Sequence, residues 1–316
     1  MPYRTTLNAY VYDGSFDGML CCIFTAIAEK ELPANIYPED AEQASLCPPR
    51  YIETDPVKAK RVRDSIPQKI SAEAMRWVED GFLSCEEHKE RLILDFLRKG
   101  YCAGPQITQM LQDETVSRLQ KAVQFVGNES HLIKGFLRFS ERDHVLTAVI
   151  DPKNQVLPRL APHFAERFPE ETFLIYDNTH GMALVHLSGK SAIIPADSIE
   201  LPAIDETEAR YQALWRRFYK TIAIEGRYNP RCRMNHCPKR YWLNMTELCG
   251  VEEKPGSQHL GELPFSRPYQ SGNVRGGRTR RTGKPPLPIE AVSERNRRPT
   301  QKDPGETRPG LAHQKE

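Results

Sequence analysis

Seventeen of the last 66 residues, 251–316, are proline or glycine, and only 12 belong to the hydrophobic set. Such a stretch cannot bury enough apolar surface to offset the entropy of ordering it. Folding is therefore expected within residues 1–250, with 251–316 as a disordered basic tail. The tail carries 13 basic against 8 acidic residues, a net +5, and is most cationic at Gly276-Gly277-Arg278-Thr279-Arg280-Arg281.

Within 1–250 the hydrophobic pattern changes once. Residues 8–12 read as a strand and Asp13-Gly14 as a turn. A helix over 16–29 follows, because Phe16, Leu20, Ile23, Phe24 and Ile27 recur at helical spacing. Ser15 or Asp13 can cap it. A proline-rich connector covers 33–56. A helical stretch then runs to residue 137, with Val116, Leu119, Val123 and Val126 as its clearest seam. Beyond it, 144–150, 173–176, 182–187 and 191–194 are short aliphatic runs separated by turn residues, which predicts hairpins. A helix at 160–168 interrupts them. A last helix is expected over 206–223, with Asp205 and Glu208 as a capping box. Helices first and hairpins later predict an α+β fold. It has a helical N-terminal half, a small antiparallel sheet in the middle and a C-terminal basic helix.

Several classes are excluded by what the chain lacks. No apolar run reaches the ~18 residues of a membrane span, and no apolar core of a signal peptide follows Met1-Pro2-Tyr3-Arg4-Thr5. A soluble cytoplasmic protein is expected. The eight cysteines, at 21, 22, 47, 85, 102, 232, 237 and 249, form neither the CxxC pairs of a zinc ribbon nor the CxxxCxxC of a radical-SAM cluster. There is no P-loop, GxGxxG, GxSxG or HExxH. No cofactor is predicted.

Charge is segregated although the total is only +2. Residues 1–209 hold 22 basic and 32 acidic groups. Residues 210–240 hold nine basic groups and one acid, a net +8. The nine are Arg210, Arg216, Arg217, Lys220, Arg227, Arg231, Arg233, Lys239 and Arg240. At ~100° per residue, Tyr211, Leu214, Trp215, Phe218 and Ile222 share one helix face, expected to pack on the body, and Arg210, Arg216, Arg217 and Lys220 share the other. Guanidinium groups pair with phosphate bidentately, and aromatic planes such as Tyr241 and Trp242 stack on unpaired bases. The expected nucleic-acid surface is Arg210, Arg216, Arg217, Lys220, Arg231, Arg233, Lys239, Arg240, Tyr241 and Trp242. Two other uses compete: internal pairing with the acidic body, and docking of an acidic protein partner.

Weaker constellations are few. Asp13, Gly14, Ser15 and Gly18 form a strand–turn–helix entry whose amides can cradle an anion, or which is simply a capped turn. Asp13 and Asp17 oppose the first use. His163 and His180 are possible acid–base groups without an assigned carboxylate. Cys232, His236, Cys237 and Cys249 lack regular zinc spacing, so no metal is predicted.

Several ordered segments resemble a known family. They are Tyr12-Asp13-Gly14-Ser15-Phe16-Asp17-Gly18, Glu53-Thr54-Asp55-Pro56, Asn154-Gln155-Val156-Leu157-Pro158 and Leu160-Ala161-Pro162-His163-Phe164. Ala209-Arg210-Tyr211 through Thr221-Ile222-Ala223-Ile224, Asn229-Pro230-Arg231 and Pro238-Lys239-Arg240-Tyr241-Trp242 complete the set. Together they resemble, over most of 1–247, a bacterial family of unknown function that carries a DNA-metabolism or DNA-repair label. The resemblance implies company with a radical-SAM protein of DNA modification or repair, and domains like this one sit ahead of uracil-DNA glycosylase-type domains. No catalytic residues come with it, and residues 251–316 are too few to supply a glycosylase domain. Cys237 stands where relatives commonly have Met. Three functions are therefore weighed: a nucleic-acid-binding accessory protein beside a radical-SAM partner, a module docking that partner without touching DNA, and an enzyme acting on a nucleotide or damaged base.

Overall fold

The first core strand ends where the chain needs a left-handed residue, and Gly14 supplies it at φ 78°. The computed structural model describes residues 3–41 and 47–249, and the tail expected over 251–316 lies outside them. The short strand β1 (Arg4–Thr5) precedes β2 (Ala9–Tyr12), all four residues of which are buried. Ser15 then caps α1 (Phe16–Ala28), its Oγ accepting from the Gly18 amide at 2.9 Å. Next come β3 (Glu31–Leu32), parallel to β1, then β4 (Asn35–Pro38) and β5 (Pro49–Tyr51). The last two flank β2 in a three-stranded parallel sheet of order β4-β2-β5. The proline-rich connector thus contains two strands. Their ladder is completed by β2, a tertiary partner that local composition does not show.

The helical stretch divides into α2 (Pro56–Lys69), α3 (Ala72–Leu83), α4 (Lys89–Ala103), a 3-10 turn (Gly104–Gln109) and α5 (Glu114–Phe136). Asp55, Ser71 and Asp113 cap α2, α3 and α5 with their side chains. Of the α5 seam, Val116, Leu119 and Val126 are buried and Val123 is half-buried.

The second sheet runs β10-β9-β8-β7-β6, from β6 (Ser140–Arg142), β7 (Val145–Ile150), β8 (Phe173–Asp177), β9 (Met182–Leu187) and β10 (Lys190–Pro195). Its β7–β8 pair is parallel, because α6 (Leu157–Arg167) carries the chain back between them; the other pairs are antiparallel. The sheet is therefore mixed rather than antiparallel. The fold class is α+β as expected. Two hydrophobic clusters form, one around α1–α4 and the first half of α5, the other around the second sheet, α6 and residues 237–248. The α5 helix contributes to both through Val116 and Leu119 at one end and Ile133 at the other. Among the described residues no helix is long and apolar enough to cross a membrane.

Candidate nucleic-acid interface

Asp205 caps α7 (Glu206–Ile222), accepting from the Glu208 amide at 2.6 Å. The Glu208 carboxylate does not close the box; it accepts instead from Gln212. No residue of α7 is buried. Its contacts with the body lie on one polar sector. Gln212 donates to Ser140 Oγ at 3.1 Å, Trp215 Nε1 to Glu247 Oε2 at 3.0 Å, and Arg216 Nε to the Thr246 carbonyl at 3.1 Å. Tyr219 on the same sector packs on the second core. Glu247 is itself buried and gripped by Arg138 at 2.7 Å, whose guanidinium lies 5.9 Å from the Trp215 ring. These anchors rotate the helix away from the expected packing. Tyr211, Leu214, Phe218 and Ile222 stay 66, 60, 52 and 56% exposed.

The cations separate into two groups. Arg217, Lys220, Arg227 and Arg231 are exposed and make no ion pair or hydrogen bond through their side chains among the described residues. Arg210 pairs with Glu206 at 2.6 Å on the surface, and Arg216 holds Gln212 and Thr246. Asn229 caps α8 (Pro230–His236), accepting from the Cys232 amide and setting Arg231 outward. Arg233 turns inward, its guanidinium 5.5 Å from the Tyr228 ring and 4.9 Å from that of Trp242. The Lys239 ammonium lies 5.7 Å from Trp242.

Arg240, Tyr241 and Trp242 are drawn into the scaffold, against expectation. Tyr241 and Trp242 are buried, and Trp242 Nε1 donates to the Cys237 carbonyl at 2.9 Å. Neither plane is open to a base. Arg240 Nη2 reaches Glu129 Oε1 at 2.7 Å and Tyr241 OH donates to the same oxygen at 3.0 Å. Glu129, 1% exposed, also accepts from the Lys153 and Asn154 amides and from Asn154 Nδ2. Burial, followed by the Glu129 charge, pushes the Tyr241 phenol up to about 12. The physical reason is accounting of polar groups: a buried carboxylate requires donors, and these residues supply them.

At the N-terminal turn the expected anion place is filled from within. Asp13 Oδ1 accepts from the Ser15 amide at 3.0 Å and from Ser15 Oγ at 2.6 Å, and Asp13 Oδ2 accepts from Thr54 at 2.8 Å. A Cβ on Gly18 would meet Asp13 Oδ1 at 2.2 Å, so only glycine lets the carboxylate sit there. Burial pushes the Asp13 carboxyl up, but the bonds from Ser15 and Thr54 outweigh it and hold the group below its ordinary value. Gly14, Ser15 and Gly18 serve this turn. The carboxylate takes the donors that an anion needs.

Of the histidines, His163 makes an edge contact with Phe164 and no side-chain hydrogen bond among the described residues. His180 has the carboxylate that sequence reasoning did not find: its Nδ1 is 2.7 Å from Asp177 Oδ2. Asp177 is 1% exposed at the carboxyl end of β8, and its other oxygen accepts from the Thr179 and His180 amides. The spacing Asp177-x-x-His180 in a turn was the signal for it. Cys237 is buried against Met245, whereas Cys232 and Cys249 are exposed. Among the described residues no group of three metal-ligating side chains converges.

A family model described as a domain of unknown function, DUF4130, matches residues 87–247, which take in α4 through Glu247. No curated protein matches the chain.

Proposed function

We propose that this chain, which belongs to the DUF4130 family, is a DNA-metabolism accessory protein that holds nucleic acid on the cationic surface of α7 and α8. Membership specifies no chemistry, so the reading proceeds from the surface. The observation that carries it is the set Arg217, Lys220, Arg227 and Arg231, exposed and unpaired among the described residues, in one segment with the exposed Tyr228 ring. Such groups neutralise backbone phosphates, and an open ring adds ~1–3 kcal/mol for a stacked base. Arg210 and Arg216 join at the rim. The work beside a cytoplasmic radical-SAM protein is supported by the resemblance alone, and the cluster chemistry belongs to that partner.

A salt titration of binding to single-stranded and duplex oligonucleotides tests the reading. Each neutralised phosphate contributes about −0.7 to −0.9 to the slope of log affinity against log salt. Arg217→Ala and Arg231→Ala are each expected to flatten the slope by about one such increment and to weaken binding. Absence of binding at low salt refutes the reading.

One observation favours a second reading, an enzyme acting on a nucleotide or damaged base. The Asp177–His180 pair fixes the imidazole from its Nδ1 side and leaves Nε2 as an acid–base atom. Turnover of a panel of modified oligonucleotides, lost in both His180→Gln and Asp177→Asn, is the expected result. Equal turnover in His180→Gln excludes the pair from any reaction.

A further inference from the structure

We infer that the apolar ridge of α7 is a docking surface for a partner protein offering an apolar groove rimmed by carboxylates. Tyr211, Leu214, Trp215, Phe218 and Ile222 recur at i, i+3, i+4, i+7 and i+11, within a sector about 100° wide. Helices that lie in the groove of another protein carry their anchors at this spacing. Scattered apolar side chains on a surface need no explanation, but a continuous ridge of five marks an interaction site. The body does not cover this ridge, because Gln212, Arg216 and Tyr219 hold α7 by a different sector. Trp215 touches both, giving its indole N–H to Glu247.

Charge decides among occupants. Arg217, unpaired among the described residues, and Arg210, paired with Glu206, flank the ridge on its solvent side. A second copy laid ridge to ridge would bring like charges together. Residues 251–316 are themselves net +5 and poor in apolar side chains, so they match the ridge badly. Nucleic acid gains little from Leu214 and Ile222, which offer no flat face for stacking. An apolar groove with an acidic rim satisfies both the ridge and its border. This inference shares Arg217 with the proposed function but rests on the apolar ridge, which that function does not use. Its readout, cross-linking at the ridge, is independent of a salt slope.

The test uses the full chain with benzoylphenylalanine in place of Phe218, irradiated in an extract of the cells that produce it. The same photoreactive group at Lys220, on the far side of the helix, is the control. The expected result is a cross-link from Phe218, and not from Lys220, to one protein with an acidic surface. That protein, purified, binds the full chain, and Leu214→Asp or Phe218→Asp weakens binding roughly 30-fold or more, as loss of a central anchor does. Thermal unfolding of these variants stays at the wild-type temperature. Cross-links to a second copy, to residues 251–316 or to nucleic acid overturn the inference. So does an absence of any product above the Lys220 control, or equal binding by the Asp variants.

Discussion

Replacing Glu129 by glutamine is expected to lower the free energy of unfolding by about 3–5 kcal/mol, since it leaves Arg240 facing no charge in a largely enclosed place. The carboxylate sits on α5 and accepts from five donors belonging to two other segments: the two amides and side chain at Lys153-Asn154, and the side chains of Arg240 and Tyr241. An amide side chain keeps the shape but turns an NH2 group toward some of those donors, leaving buried groups unsatisfied. Typical domains have only 5–15 kcal/mol in total, so the loss is a large share. Urea unfolding followed by circular dichroism measures it. The Arg240→Ala variant is expected to behave likewise, because it leaves the buried carboxylate without its opposite charge. Should Glu129→Gln unfold within about 1 kcal/mol of the wild type, the five-donor arrangement does not clasp these segments together.

Arg138→Ala is expected to cost about 3 kcal/mol and to free α7 from the body, because Glu247 is then buried with Trp215 Nε1 as its remaining side-chain donor. The pair also sets an acid limit. Burial pushes the Glu247 carboxyl up, but the bonds from Arg138 and Trp215 pull it further down, so its folded value lies below the ordinary 4.5. A carboxyl lowered by folding stabilises the protein above its unfolded value. That contribution fades as pH falls through the folded one. The α7 anchor should therefore hold above pH 4.5 and loosen at more acid pH. Without Arg138 its hydrogen bond and its charge no longer lower the carboxyl, and loosening moves to higher pH. Tryptophan emission followed from pH 7 to 2 reports it, taking the part of the change that disappears in Trp215→Phe. A transition at the same pH in Arg138→Ala and wild type shows that the arginine does not hold this carboxylate.

Elements whose signals are local were legible in the chain. The β2–turn–α1 entry with its Ser15 cap, four of the five strands of the second sheet (β6 was not among them), the helix among them and the Asp205 cap of α7 follow from spacing and capping residues. Elements defined by a distant partner were not. The strands β4 and β5 lie among prolines and exist because β2 pairs with both. The orientation of α7 was misread because an apolar stripe was assumed to seek the core, whereas Gln212, Trp215 and Arg216 find polar partners on another sector. At the candidate site, Arg217, Lys220 and Arg231 remain outward as charge density predicted, but Arg240, Tyr241 and Trp242 do not. A hint was present: Glu129 falls among Val126, Ser130 and Ile133 on the buried side of α5, and a carboxylate in such company needs donors from elsewhere.

The shared helix α5 acts as an axle. Its 23 residues extend about 35 Å. Near one end Leu119 lies so close to α3 that a Cβ on Gly81 would meet it at 2.6 Å, and near the other Ile133 and Phe136 belong to the opposite cluster. Neither half can melt without stripping the rod the other is built around. Thermal damage begun in the N-terminal helices thus travels along it to the Glu129 clasp and so to the base of the segment that bears the unpaired cations.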